Sequence, residues 1–298
     1  MKETYIQKAN ELRGIWSAGD SLRDAGLEEP AGIRKFVNIT YAESEFMETP
    51  YRQMDIYVPE NGKKPLPCIV SVHGGGWFYG DKERYRMYCL TLAARGVAVV
   101  NFNYRRSPEY VYPAAIEDVC LAMAYIKKHG KEYGIDTGRV AVVGDSVGAQ
   151  LASQYGVIAT NEEYKKLLLF EVDVLPPKAF AFNCGIFHMP DFTKDDMRLW
   201  YFPEETEGTL RESFMNMLAY MEKNYPPVYL MLSVNDDLAI HTEAMKKRLE
   251  ELEIEFVYRE FGADNESDSH VFHLNMRSEN GRKCNEEEFD FLWNQLML

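Results

Sequence analysis

The 298-residue chain holds no apolar run near the eighteen or so residues that a membrane-spanning helix requires, so no membrane partner is expected. Its first residues, MKETYIQKANELRGIW, scatter charges where a secretory leader would carry an apolar core. Positive charge is also scarce, with 33 Lys and Arg against 47 Asp and Glu, a formal balance of −14. That balance leaves no basic patch to neutralise phosphates, which argues against a nucleic-acid partner and against docking on anionic lipid. The five cysteines (Cys68, Cys89, Cys120, Cys184 and Cys284) are odd in number, widely spaced and without a CxxC pair. Neither a disulfide framework nor a zinc site is suggested, and no metal or cofactor is expected. Several lie in apolar runs, where a free cysteine behaves as a small hydrophobe. A reduced, cytoplasmic protein is the simplest expectation. Repeats and low-complexity segments are absent as well.

What the chain does have is an alternation of strand and helix patterns. Val37 to Tyr41 and Gln53 to Val58 alternate apolar and polar residues, as half-buried strands do. Cys68 to Val72, Val97 to Phe102 and Val140 to Val143 are continuous valine-rich runs, the mark of central parallel strands covered on both faces. Ala179 to Asn183, Val228 to Ser233 and Glu255 to Phe261 extend the set. Helical spacing fills Glu83 to Arg95, the stretch from Pro113 to about His129, and the stretch after Val143 to about Thr160. This order predicts an α/β fold with a mostly parallel central sheet and helices on both faces. Two stretches stand outside the alternation. Residues 1–35 read as helix broken near Gly19 and Pro30, and residues 188–226 contain Trp200-Tyr201-Phe202 and a Met-rich helical segment from Leu210 to Met221. One catalytic domain over 1–298, with cap elements from these two stretches, is the economical arrangement.

Chemistry enters at Gly144-Asp145-Ser146-Val147-Gly148. A Gly-x-Ser-x-Gly pattern is weak alone, but here it follows the strand VAVV and precedes an amphipathic helix. In that setting the serine occupies a sharp turn at the carboxyl end of the sheet, with the helix N-terminus aimed at developing negative charge. A second motif, His73-Gly74-Gly75-Gly76-Trp77, directly follows the strand ending at Val72. Consecutive glycines let backbone N–H groups converge on a cavity, as acyl transfer requires for its oxyanion. A phosphate cradle is the other use of such a loop, but the lysine and Ser/Thr of a P-loop are missing. His73 reads as a residue that fixes the loop.

HGGGWFYGD, NYRRSPEYVYPAAIEDV and GDSVGAQ together closely resemble the hormone-sensitive-lipase-like family of α/β-hydrolase esterases. The resemblance runs from about Arg52 to the end and is weakest in 1–35 and 188–226. It implies a Ser-His-Asp triad with Ser146 as nucleophile, and an oxyanion hole from the N–H groups of Gly75, Gly76 and Val147. The family usually has alanine where Val147 stands.

In this fold the acid and then the histidine follow the serine. After the strand ending at Ser233, Asp236 and Asp237 are adjacent candidates. The family's Asp-x-Leu pattern aligns with Asp236-Asp237-Leu238 and favours Asp236, with Asp237 left as a loop or capping residue. The sequence departs from the family at Ile240, where a second acid is frequent. Near the end, Ser269-His270-Val271-Phe272-His273-Leu274 offers two histidines. His270 matches the family's His-x-Phe, and His273 reads as a partly buried helix residue. His129, His188 and His241 have no matching context.

Other features carry plainer readings. Asp264, Glu266 and Asp268 precede His270 and read as a solvated acidic loop before a cation site. Asp118 reads as structural, and Asp145 as a brace for the elbow or a neighbouring loop. Trp77, Phe78, Trp200 and Tyr201 are candidates for a substrate pocket, weighed against the core positions aromatics usually take.

The resulting expectation is a serine carboxylesterase acting on short acyl, chiefly acetyl, esters of sugars or small metabolites. A lipase or peptidase on the same fold is the alternative, but no interfacial segment or additional domain supports it. A non-catalytic ligand-binding member of the fold would lack a triad residue, and none is lacking. The expected partner is a small-molecule ester; a homodimer is compatible with the sequence, which carries no signal for it.

Overall fold

The structure is a computed structural model that describes residues 2–42, 51–189 and 195–298. Its centre is an eight-stranded sheet: β1 (Ile33–Thr40), β2 (Gln53–Pro59), β3 (Leu66–Val72), β4 (Ala98–Phe102), β5 (Ile135–Asp145), β6 (Ala179–Asn183), β7 (Val228–Ser233) and β8 (Phe256–Phe261). The spatial order is β1-β2-β4-β3-β5-β6-β7-β8. β1 and β2 pair antiparallel at one edge, β2 pairs antiparallel with β4, and every neighbour from β4 through β8 is parallel. β3, β4, β5, β6 and β7 are buried nearly throughout, as their valine- and phenylalanine-rich runs require.

Helices cover both faces. The helices of the described residues are α1 (Lys2–Asp24), α2 (Arg86–Ala93), α3 (Ala114–His129), α4 (Val147–Thr160), α5 (Glu162–Lys165), α6 (Asp195–Tyr201), α7 (Gly208–Met215), α8 (Ala239–Glu251) and α9 (Glu279–Met297). Strand side chains alternate between two cores. Val70, Val100, Val142 and Phe182 join Ile116 of α3, Leu151 of α4 and Met245 of α8. Ile69, Val99, Val143 and Ala181 join Leu90 of α2 and Leu292 of α9 on the opposite face. The mostly parallel sheet with helices on both faces, expected from the alternation, is the arrangement present.

Three local expectations differ. α1 runs through Gly19 without a break. A glycine costs a helix only about 1 kcal/mol, and α1 is tied down on both sides of it. On one side Arg13 pairs with Glu109 through two 2.7 Å bonds and donates to the Phe78 and Ser107 carbonyls. On the other, Arg277 donates to the carbonyls of Arg23 and Ala25. The Leu210 to Met221 segment divides at Asn216 (φ −117°, ψ 21°) into α7 and a 3₁₀ turn over Met217–Tyr220. Asp268 is buried and accepts from Ser278 Oγ and Asn280 Nδ2 at 2.8 and 2.9 Å, so only Asp264 and Glu266 of the acidic loop face solvent. Residues 190–194 of the expected 188–226 cap stretch lie outside the described residues.

Candidate active site

The turn from β5 into α4 places Ser146 at φ 52° and ψ −121°, a conformation that side-chain-bearing residues rarely adopt. The flanking glycines explain how the turn closes. A Cβ on Gly148 would lie 2.2 Å from the Val72 carbonyl oxygen, and one on Gly144 would lie 2.5 Å from the Gly148 oxygen. Any larger residue would push α4 away from β3 and β5. The elbow is fastened by Ser146 N–H, which donates to the Asn183 carbonyl at 3.0 Å, and by Ile186 N–H, which donates to the Ser146 carbonyl at 3.2 Å.

β7 ends in the loop that carries Asp236, and the segment after β8 carries His270. These loops bring three of the expected residues into one hydrogen-bonded chain. His270 Nε2 lies 2.9 Å from Ser146 Oγ, and His270 Nδ1 lies 2.7 Å from Asp236 Oδ2. Asp236 Oδ1 accepts from the Leu238 N–H at 2.9 Å. Burial works against the Asp236 charge, but the hydrogen bond and charge of His270, the Leu238 N–H and the Cys184 thiol outweigh it and hold the carboxyl below its usual range. Asp237 is exposed. His273 is buried, edge-on to Tyr88 at 5.5 Å, and its burial lowers its pKa to about 3. It does not belong to the chain.

The glycine loop after β3 is built for close approach. Gly75 sits at φ +115°, and a Cβ there would lie 2.3 Å from the Tyr79 carbonyl oxygen. The N–H of Gly74 is engaged by Tyr85 Oη at 2.9 Å and Asp145 Oδ1 at 3.1 Å, while Tyr85 donates to Asp145 Oδ2 at 2.7 Å. His73 stacks on Tyr104 at 4.0 Å, and its Nδ1 pairs with the Gly74 carbonyl at 2.8 Å. Burial lowers the His73 pKa to about 4, so the ring is neutral and suited to donate that bond. Gly75, Gly76 and Ser146 line one cavity of 290 Å³, and Val147 follows at the first position of α4. This volume is at the small end for ligand sites.

The walls of that cavity correct the aromatic expectation. Trp77, Phe78, Trp200 and Tyr201 do not line it; all four are buried beside it. Trp77 stacks on Tyr201 at 5.0 Å and donates its indole N–H to Gln150 of α4 at 3.0 Å. Phe78 sits between Trp16 at 4.9 Å and Trp200 at 5.2 Å. These large rings complete cores, where they remove the most apolar surface from water. The wall comes instead from Trp16, Asp20 and Arg23 of α1, Tyr79 and Tyr85, Met197 of α6, and Ile186, Leu238, Val271 and Leu274. Tyr79 donates to Asp20 Oδ2 at 2.7 Å, which joins α1 to the glycine loop. The helical spacing of Trp16, Asp20 and Arg23 was the available signal, since it puts them on one face of α1.

Beneath the elbow lie two buried carboxyls. Burial raises Asp145 to about 6 and Glu288 of α9 to about 7. Glu288 accepts from Tyr88 Oη and Asn183 Nδ2, and the Asn183 carbonyl holds Ser146. Nothing in the local pattern around Glu288 distinguishes it from the solvated acids beside it.

A family model described as BD-FAE matches residues 54–247. Among curated proteins, an esterase from Gibberella moniliformis (strain M3125 / FGSC 7600) is 28% identical over 203 residues, 64% of each chain. Arylacetamide deacetylase from Bos taurus is 29% identical over 192 residues, 60% of this chain and 47% of that protein. The matched regions thus span less than two thirds of these relatives' lengths. Among solved structures, esterase B from Lactobacillus rhamnosis, solved with a C4-C4 tributyrin phosphonate, superposes with a TM-score of 0.86 at 22% identity, covering 100% of this chain and 97% of that one. A bacterial heroin esterase gives 0.76 at 21% identity, with 96% and 92% covered. At these identities the structural likeness establishes the fold.

Proposed function

The chain belongs to the BD-FAE family, and on that premise we propose that it is a serine carboxylic-ester hydrolase for short-chain acyl esters, acetyl esters of sugars or small metabolites among them. The observation that carries this reading is the unbroken chain Asp236–His270–Ser146, at 2.7 and 2.9 Å, opening on a small cavity lined by Gly75 and Gly76. Relatives named esterase and arylacetamide deacetylase support it.

In the proposed reaction Ser146 Oγ attacks the ester carbonyl carbon while its proton passes to His270 Nε2. The carbonyl π electrons move onto oxygen, and that oxyanion accepts from the N–H groups of Gly75, Gly76 and Val147. Val147 adds the positive end of the α4 dipole. Collapse breaks the bond to the leaving alkoxide, which takes the proton from His270. Water then repeats the sequence on the acyl-enzyme and frees the acid. Asp236 fixes the Nδ1–H tautomer of His270 and stabilises the imidazolium. The 290 Å³ cavity, lined in part by Trp16 and Met197, favours small acyl groups. We assign α1 and the 188–226 stretch, so far as it is described, as cap elements over one catalytic domain. Among the described residues no helix is long and apolar enough to cross a membrane. The five free thiols are in keeping with a reducing, cytoplasmic setting.

The test is hydrolysis of p-nitrophenyl esters from acetate to decanoate, with acetylated xylo-oligosaccharides alongside. A burst of acyl-enzyme and a preference for acetate or butyrate are expected. Preference for decanoate, or full turnover by Ser146→Ala, defeats the proposal.

A further inference from the structure

Cys184 follows the β6 residue whose carbonyl holds the elbow, and stands at φ 49°, where a side-chain-bearing residue is uncommon. Its N–H donates to the Met231 carbonyl at 2.8 Å. The thiol contacts the Asp236 carboxylate, and burial with that neighbouring charge pushes its pKa up. One ligand atom each from Cys184, Asp236 and His270 lie within 4.8 Å of one another.

We propose that Cys184, Asp236 and His270 form an inhibitory binding site for a borderline-soft divalent cation of the zinc class. The donor set is sulfur, oxygen and imidazole nitrogen, the ligand types zinc takes in tetrahedral sites. Charge supports the assignment. On binding, the Cys184 S–H bond breaks, its proton leaves to solvent, and thiolate and carboxylate together balance the dication. The buried site then carries no net charge. His270 is half-buried and lines the cavity, and Cys184 and Asp236 are buried on the Nδ1 side of its ring.

Binding through His270 Nδ1 displaces its hydrogen bond to Asp236 and leaves the ring's single proton on Nε2. Nε2 then donates to Ser146 Oγ and has no lone pair to accept the serine proton. The acid and the base are both withdrawn by one ion. The inhibitory consequence rests on the proposed role of His270 as base, whereas the binding does not.

The probe is Zn²⁺ itself, with Cd²⁺ as a second ion, added to the full chain. Equilibrium dialysis without substrate measures binding, and p-nitrophenyl acetate hydrolysis measures inhibition. One Zn²⁺ per chain is expected, with loss of hydrolysis in proportion to occupancy and recovery on adding EDTA. Ser146→Ala should bind Zn²⁺ as the parent does, since Ser146 is not a ligand. Cys184→Ser and Cys184→Ala should each weaken binding by about tenfold or more, relative to a circular dichroism melt that shows the variant folded. Both are used because serine keeps the O–H donor toward Asp236 while alanine removes it. The proposal is overturned by absence of stoichiometric binding, by parental affinity in either folded Cys184 variant, or by full hydrolysis at saturating Zn²⁺. Cys184-dependent binding in a chain without esterase activity defeats the functional proposal and leaves the site standing. Esterase activity without such binding does the reverse.

Discussion

Asp236 Oδ2 lies 2.7 Å from His270 Nδ1, while the adjacent carboxylate of Asp237 is exposed. Two neighbouring acids in one loop therefore have different surroundings: Asp236 also accepts the Leu238 N–H, in a turn that spans Asp237 and leaves the Asp237 side chain exposed. Replacing Asp236 by Asn keeps the shape but presents an amide that favours the wrong imidazole tautomer. Asp236→Asn should lower kcat by about 10⁴-fold, and Asp237→Asn should leave it within about twofold, because a surface substitution away from the site changes little. Steady-state rates on p-nitrophenyl acetate make the comparison; a reversed order would move the acid to Asp237.

The same measurement separates the histidines. His270→Ala should lower kcat by about 10³-fold or more, since among the described residues His270 is the base hydrogen-bonded to Ser146 Oγ. His273 packs against Tyr88 and its carbonyl accepts from Asn285 Nδ2 at 2.9 Å. His273→Ala should cost about 2 kcal/mol of stability by leaving a cavity, with kcat per folded molecule nearly intact. A denaturant melt alongside the rates reads both quantities.

Much of this arrangement is legible in the chain because its causes are local. The valine runs are buried on both faces wherever they sit in a parallel sheet, and Gly144 and Gly148 are required by backbone contacts within one strand-turn-helix unit. The order serine, acid, histidine then narrows the loops that meet at the sheet's carboxyl edge. What is not legible depends on partners far apart in sequence. Trp77 and Trp200 become core because of Tyr201 and Phe78, and Trp16 becomes cavity wall because Arg13 and Arg277 anchor α1. Glu288 looks like its solvated neighbours until α9 docks and buries it against Asn183, 105 residues away.

The elbow stores strain that a glycine would release. Ser146 stands at φ 52°, ψ −121°, whereas glycine reaches positive φ without a Cβ clash. Ser146→Gly should abolish turnover and raise stability by about 1 kcal/mol, at the lower end of the cost of such a conformation. Gly148→Ala should do the opposite to the fold, destabilising it by more than about 2 kcal/mol, because the new methyl meets the Val72 carbonyl oxygen at 2.2 Å. Urea unfolding midpoints, with unchanged slopes, test the pair.

Glu288 gives the fold a pH dependence of unusual sign. Burial raises its carboxyl from 4.5 to about 7, against the hydrogen bonds from Tyr88 and Asn183 that favour the charge, and the nearby Asp145 adds to the rise. Between these values the folded chain binds a proton that the unfolded chain has released. Stability therefore falls as pH rises through the window, the reverse of a salt-bridged carboxylate. The contribution is full below pH 4.5 and gone above about 7, a span worth about 3 kcal/mol. Glu288→Gln removes the titration while keeping an acceptor for Tyr88. Rotation of the Asn183 amide would turn its unpartnered Oδ1 toward the new NH₂ group. Relative to the parent, the variant should therefore gain about 3 kcal/mol between pH 4.5 and 8. Melting temperatures at both pH values read this as a relative shift of about 5 °C or more. Asp145, raised to about 6 by burial, titrates in both proteins and largely cancels in the difference. A constant gap between the two proteins across the range would show that Glu288 is ionised throughout, with Asn183 and Tyr88 carrying its charge.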